Sequence, residues 1–269
     1  MLVFVLKRGV YVTRYICVVS GKGGVGKTTS AISLAHAMGK HKKTLLVDAN
    51  LSTPNVNTHL GAPILRKTLM SVLKDEASLK QAIYTHESGL RIVPTISTVH
   101  DLKRLKYEKL KEVIRDLEGE ADIIIMDSGA GLTREAISAI EASNEVLIIT
   151  NPELNAVLDA QKTIQVANEI GKTVLGVVIN KVKESKHELK IDEVEKLLSI
   201  PVIGVIPYDK NVRKALKQKQ PVTHSHPRTK ASKSYEEIAG LLLGKRYFNS
   251  VNKKSRIIED YTLNHLGLG

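Results

Sequence analysis

The clearest chemistry in the chain lies in eight consecutive residues, Gly21-Lys22-Gly23-Gly24-Val25-Gly26-Lys27-Thr28. Glycines at these positions let backbone N–H groups turn inward and cradle phosphate oxygens. Lys27 adds a positive charge at the β- and γ-phosphates of a nucleotide, and the Thr28 hydroxyl can ligate Mg²⁺. Gly-x-x-x-x-Gly-Lys-Thr also occurs by chance, so its context decides. Here the apolar run Ile16–Val19 precedes it. Ala31, Ile32, Leu34, Ala35 and Met38 follow at helical spacing. Strand, glycine turn, helix is the order a phosphate loop requires.

A metal held at phosphates needs an acid at the end of a neighbouring strand. Asp127 closes the run Ile123–Met126, and Asp48 closes Thr44–Val47. An aspartate past a strand can simply cap a turn. Beside a phosphate loop, both become candidates for holding the metal through water.

The elements that must position these groups alternate along the chain. Strands are expected at Ile16–Val19, Thr44–Val47, Gly89–Val93, Ile123–Met126, Glu145–Ile149, Val174–Ile179 and Val202–Ile206. Helical patterns cover Thr28–Met38, Leu79–Tyr84, Asp101–Leu117, Asn155–Ile170, Ile191–Leu198 and Ser232–Leu243. This order predicts an α/β fold: a single P-loop NTPase domain, its sheet mostly parallel, with helices on both faces. Ligands of such sheets sit beyond the carboxyl ends of the strands. Asp48, Asp127, Thr150, Asn151, Asn180 and Pro207 all fall just past strand ends and can converge on one crevice. His224 and His226 form an H-x-H pair with no third ligand near, which reads as a loop before the last helix.

Composition removes several classes. With no Trp and two Phe, aliphatic side chains must fill the core. Cys17 is the only cysteine, which excludes an intrachain disulfide and any multi-cysteine zinc or iron–sulfur site. That usage fits a reducing cytoplasm. Met1–Leu6 is too short to span a bilayer, and Lys7 and Arg8 follow it rather than precede it. The segment reads as an extra edge strand or the product of an upstream start codon. The net charge is +12, and thirteen Lys/Arg against two Asp/Glu lie between Lys210 and Arg256. So concentrated a basic block points to an anionic partner. The aliphatic pattern fades after Gly244. The chain therefore divides into an N-terminal extension (1–14), a P-loop NTPase domain (15–244) and a basic tail (245–269).

The segment Ser20–Thr29 resembles the deviant phosphate loop of the MinD/ParA ATPases, whose mark is the extra lysine at Lys22. The resemblance implies that Lys22 reaches across an ATP-dependent homodimer to the partner's nucleotide. Asp127-Ser-Gly-Ala-Gly131 is similar to the family's second switch. Thr150-Asn-Pro-Glu153 is similar to the segment whose glutamate contacts nucleotide across the dimer. Asn180 is similar to the adenine-reading asparagine, and Ile206-Pro207-Tyr-Asp209 to the loop flanking the adenine. By the same resemblance the cofactors are ATP and Mg²⁺, and Lys22, Lys27, Asp48, Asn50 and Asp127 form the hydrolytic set, with Thr29 beside the phosphates. Two positions depart from the pattern. Asp48-Ala-Asn50 stands where the family has Asp-x-Asp, so the carboxylate linked to the attacking water is an amide. Gly129 stands where the second switch has proline.

Relatives that rely on paired or intersubunit cysteines fit poorly, which leaves spatial organisers acting on membrane or on DNA, with an activating or cargo protein. A membrane-bound member would be peripheral at the inner face of the cell membrane. At 100° per residue, Tyr247, Phe248, Val251, Ile257, Ile258, Tyr261, Leu266 and Leu268 fall within about half a circle. Arg246, Lys253 and Arg256 oppose them, while Lys254 and Leu263 break the pattern; such a tail can lie in an anionic bilayer interface. Asn249, Ser250, Asn252 and Ser255 lower helix propensity and suit a solvated tail as well. Lys210, Arg213, Lys214, Lys217 and Lys219 could instead contact DNA phosphates non-specifically.

Overall fold

The computed structural model describes residues 13–61 and 65–244. The expectations for the extension and for the tail lie almost wholly outside those residues.

The elements run β1 (Arg14–Val19), α1 (Lys27–Gly39), β2 (Thr44–Asp48), α2 (Val56–Leu60), α3 (Leu69–Leu73), β3 (Tyr84–Thr85) and β4 (Arg91–Val93). Then come α4 (Val99–Arg104), α5 (Lys109–Arg115), β5 (Ile123–Asp127), α6 (Arg134–Glu141), β6 (Glu145–Thr150) and α7 (Leu154–Glu169). The last are β7 (Thr173–Val182), α8 (Ile191–Leu198), β8 (Val202–Pro207), α9 (Lys210–Lys217), α10 (Val222–Ser225) and α11 (Lys230–Leu242). One eight-stranded sheet has the order β3-β4-β2-β5-β1-β6-β7-β8. Among the described residues only β3 pairs antiparallel, with β4. The expected α/β architecture is therefore the observed one.

Strand residues alternate between two cores because successive side chains point to opposite faces. Tyr15, Cys17 and Val19 of β1 join Leu45, Ile124, Met126 and Ile148 against α5, α6, α7 and α8. Ile16 and Val18 join Leu46, Ile125, Leu147 and Ile149 against α1 and α11. Both faces are covered, so the strands read as unbroken aliphatic runs rather than alternating ones.

Three expectations need correction. Asp101–Leu117 is not one helix. Thr98 caps α4 through Asp101, and Leu105 is extended and ends it. Leu105 and Tyr107 turn onto the core, a packing gain that overrides helical periodicity. Leu79–Tyr84 is a 3₁₀ turn over Leu79–Ala82, and Tyr84 already belongs to β3. The Tyr84 hydroxyl donates to the Lys67 carbonyl at 2.9 Å, which draws it out of the turn. His224 lies in the short helix α10 rather than a loop, with its ring edge-on to His36 at 5.4 Å.

The chain leaves β1 for β2 and β4 on one side, returns through β5, then builds β6 to β8 on the other. The strand order reverses around β1, so the crevice of the sheet opens where β1 passes into α1.

Candidate nucleotide-binding site

Ser20–Gly26 turns sharply between β1 and α1. Gly24 and Gly26 hold φ of 79° and 97°, the left-handed region in which a Cβ is costly. A Cβ on Gly26 would also strike the Asn180 side chain, and one on Gly21 would strike the backbone of Asp159 on α7. Glycine is thus required by conformation and by close approach. No side chain caps α1, and its first turn carries no acid. Its N-terminal N–H groups and the positive end of its dipole therefore face the crevice, an arrangement that favours an anion.

Lys27 is only 7% exposed and Asp127 is fully buried. The Lys27 ammonium donates to Asp127 Oδ1 at 2.7 Å and to the Ser128 carbonyl. Asp127 Oδ2 is buried with no protein partner. Asp48 lies beside Asp127 in the β2–β5 register and is also fully buried. Burial first, and then the Asp127 charge, push the Asp48 carboxyl well above the usual carboxylate range. Backbone N–H groups of Val56 at 3.0 Å and Asn50 at 3.3 Å oppose that rise. Asp48 thus also ties down the loop after β2, the capping role that strand-end aspartates often fill.

A cavity of about 530 Å³ opens over this turn, an ordinary size for a ligand site. Gly23, Gly24, Gly26, Lys27, Thr28, Thr29 and Asn50 line it, together with Asn180, Pro207 and Asp209. Gly21, Lys22, Asp48, Asp127 and Glu153 stand outside the lining, and the Val25 side chain is packed into the core. Asn50 Nδ2 donates to the Thr53 carbonyl at 2.6 Å, and Asn50 Oδ1 accepts from the Thr53 hydroxyl at 3.1 Å. Asp209 caps α9 by accepting from the Asn211 N–H at 2.8 Å. Asn180 Nδ2 donates to the Val25 carbonyl at 2.8 Å, and its Oδ1 accepts from the Lys181 N–H at 2.9 Å. One amide hydrogen and one lone pair of Asn180 remain for a ligand.

Lys22 and Glu153 are both exposed and meet as an ion pair at 3.1 Å. Exposed leucines flank this pair. Leu132 follows Gly131, whose N–H donates to the Ser20 carbonyl at 2.9 Å. Leu154 follows Glu153, and Leu158 precedes the Asp159 backbone that abuts Gly21.

Other cavity residues went unnoticed in the sequence. Thr53, Asn55 and His59 come from the loop after β2 and from α2, Lys181 from the end of β7 and Val212 from α9. Tyr208, just past β8, and Arg213, on α9, also line the cavity but are singled out by the sequence, the first in the adenine-flanking segment and the second as a DNA contact. Tyr208 sits between the Lys183 ammonium at 5.2 Å and the Arg213 guanidinium at 5.9 Å. Glu135, buried on α6, accepts from the Ser52 N–H at 2.9 Å and from the Ser52 hydroxyl. Position relative to strand ends could have flagged Lys181. Nothing in local spacing signals Glu135.

Comparison with known proteins bears on this geometry. Residues 16–222 match the CobQ/CobB/MinD/ParA nucleotide binding domain (CbiA). An uncharacterized ATP-binding protein of Methanocaldococcus jannaschii is 35% identical over 89% of this chain and 91% of its own. The antiactivator FleN of Pseudomonas aeruginosa is 32% identical over 83% of this chain and 84% of its own. The structure of the septum site-determining protein MinD complexed with Mg-ADP from Pyrococcus horikoshii superposes with a TM-score of 0.81. It is 31% identical, covering 91% of this chain and 98% of that one. A domain match over most of the length and these identities agree on one placement: the chain belongs to the MinD/ParA family of P-loop ATPases.

Proposed function

We propose that the cavity binds Mg-ATP, that ATP brings two copies together across the face bearing Lys22, and that the dimer works as a spatial organiser of the division-site or polarity type. The observation that carries this reading is the uncapped, acid-free start of α1 behind a glycine turn, opening on a cavity of about 530 Å³.

In this reading the phosphates lie against the N–H groups of residues 21–26, with Lys27, Thr28 and Thr29 beside them. Asn180, Pro207 and Asp209 surround the adenine. The residues fit Mg²⁺: Asp127 offers a buried carboxylate oxygen without a protein partner, and Thr28 lines the cavity. Thr28 would hold the ion directly, with Asp127 and Asp48 acting through water. Bound there, the ion would neutralise charge developing on the β- and γ-phosphates. Asn50 orients the attacking water through its carbonyl oxygen but cannot accept a proton at neutral pH. That amide favours a second reading, a binding switch that hydrolyses ATP slowly.

The dimer reading rests on the exposed Lys22–Glu153 pair and the three leucines around it. An exposed pair of this kind is worth about 0–1 kcal/mol. Lys22 and Glu153 can therefore separate at little cost and each reach a partner's nucleotide. Leucines ringed by polar groups mark an interaction face.

The ATPase domain at 15–244 would carry the switch, and the basic tail at 245–269 would carry the anionic-surface contact. The protein would then be cytoplasmic and peripheral at the inner membrane face. Among the described residues no helix is long and apolar enough to cross a membrane. A DNA-bound, ParA-like role rests on α9, which carries Lys210, Arg213, Lys214 and Lys217. The experiment is sedimentation of the full chain with Mg-ATP or Mg-ADP, alone, with anionic liposomes, and with duplex DNA. A dimer that pellets with liposomes only in ATP is expected. Retention on DNA alone selects the ParA-like role, and no nucleotide dependence at all refutes the proposal.

A further inference from the structure

The phosphate loop has two sets of backbone groups to satisfy. Turning its N–H groups inward leaves carbonyls pointing outward; that of buried Val25 needs a donor, and that of exposed Gly24 takes one in preference to water. Two of those donors come from the end of β7. Asn180 Nδ2 reaches the Val25 carbonyl at 2.8 Å, and the Lys181 ammonium reaches the Gly24 carbonyl at 2.5 Å. Asn151 Nδ2 supports them, donating to the Asn180 carbonyl at 2.7 Å and to the Val25 carbonyl at 3.4 Å.

Lys181 is placed for this contact by an irregularity of the sheet. The β7–β8 register shifts between Asn180 and Val182, so Lys181 is the extra residue of a bulge. Its φ is 60°, a left-handed conformation that a side-chain-bearing residue holds only where its surroundings impose it. Bulges of this kind re-aim a side chain. Here the side chain leaves the strand direction and crosses to the loop. Lys181 is exposed as a residue, but partial burial of its ammonium, and then the neighbouring Arg213 charge, hold it below the usual lysine range.

We infer that Lys181 is a positioning residue for the phosphate loop: its ammonium clamps the Gly24 carbonyl, so the strand end that meets the base also shapes the turn that meets the phosphates. This rests on the cavity being a nucleotide site, but the clamp itself is a property of the protein alone. Lys181 differs in this from Lys27, whose ammonium faces Asp127 and the interior. A charged donor on a carbonyl is stronger than a neutral one, so Lys181 adds to the hold that Asn180 and Asn151 have on the turn.

The test compares the full chain with Lys181→Met and Lys181→Arg. The first readout is amide hydrogen exchange in the protein without nucleotide, over the first turn of α1, whose Ser30 N–H donates to the Gly26 carbonyl of the loop at 2.9 Å. Lys181→Met should speed exchange there about tenfold, the loss of roughly one charged hydrogen bond, while distant peptides stay unchanged. Lys181→Arg keeps a charged donor of similar reach and should restore most of the protection. The second readout is binding of tripolyphosphate, which has no base. Its affinity should fall by about the same factor as that of ATP. Unchanged exchange in Lys181→Met overturns the clamp. So does a loss confined to ATP with tripolyphosphate unaffected, since Lys181 would then act on the base. If the parent binds neither probe, the nucleotide reading fails, while the exchange measurement still decides whether the clamp exists.

Discussion

Removing the Lys27 ammonium should weaken the fold as well as nucleotide binding. In Lys27→Met the apolar stem is kept and the charge is lost. Asp127 is then fully buried without its cation and with Asp48 alongside, also fully buried. Its second oxygen has no protein partner to fall back on. Breaking a buried pair from one side costs about 3–5 kcal/mol. For a domain of this size each kcal/mol moves the melting temperature by about 2–4 °C, so a drop of about 6–20 °C is expected. The pH dependence follows from the carboxyls. Asp48 already has a folded-state pKa raised above its unfolded value, and the variant raises it further. Such a group costs nothing where it is protonated in both states, and its cost appears as pH rises through the folded pKa. The deficit should therefore be largest at neutral pH and shrink toward about pH 4. Thermal and urea unfolding of the nucleotide-free protein measure it. The double variant Lys27→Met/Asp127→Leu removes both charges and should recover most of the loss. A single variant within about 1 kcal/mol of the parent at neutral pH would refute the argument, because a pair so exposed to solvent is not a buried one.

Four other outcomes are expected. Burial, helped by the Lys40 and His224 charges, lowers the His36 pKa to about 4. Stability should accordingly rise with pH from about 4 to 6.5, where the unfolded chain binds the extra proton, and His36→Gln should flatten that slope in urea titrations. Asn50→Asp should speed single-turnover hydrolysis by at most 10²–10⁴-fold, roughly what a general base supplies. It should also cost about 1–3 kcal/mol, since a carboxylate oxygen would face the Thr53 carbonyl now met by Nδ2. An unchanged single-turnover rate, with Asp48→Ala inactive, would assign the work to Asp48. Lys22→Ala should leave ATP affinity of the monomer intact and abolish the ATP dimer in analytical ultracentrifugation, because Lys27 serves the phosphates in cis. Gly129→Pro adds a Cβ 3.3 Å from the Glu135 carboxyl carbon. It should loosen the Ser52 loop that Glu135 holds, seen as faster hydrogen exchange over residues 50–55.

The phosphate loop was legible because its function is written in contiguous residues. The aspartates and Asn180 were legible because each ends an aliphatic run, and a parallel sheet brings such ends together. What escaped was held by tertiary contact. α2 and α3 have five residues each, too few for a period to show. The break between α4 and α5 comes from Leu105 and Tyr107 turning to the core, which local propensity does not encode. Asn50 and Asp127 were named without their partners: the Thr53 carbonyl that fixes the amide, and the ammonium that neutralises the acid. The Lys181 contact spans 157 positions, so no window of sequence contains it.

The place of β1 in the sheet has a consequence for how the protein is made. β1 is the first described strand to leave the ribosome, yet it ends at the centre of the sheet. Its two neighbours arrive late, as Ile16 pairs with Ile125 on one side and with Glu145 on the other. Until β5 and β6 have been synthesised, the apolar Ile16–Val19 run has two unpaired edges, the condition in which nascent strands associate wrongly. Closing such distant pairs costs loop entropy before any contact repays it, which makes assembly slow. The same wiring protects against a half-built site. Lys27 meets its acid 100 residues downstream, and the Val25 carbonyl meets Asn180 after 155. A chain cut short of β7 can hold the glycine turn but not the site, so nucleotide can stabilise only molecules whose sheet is complete.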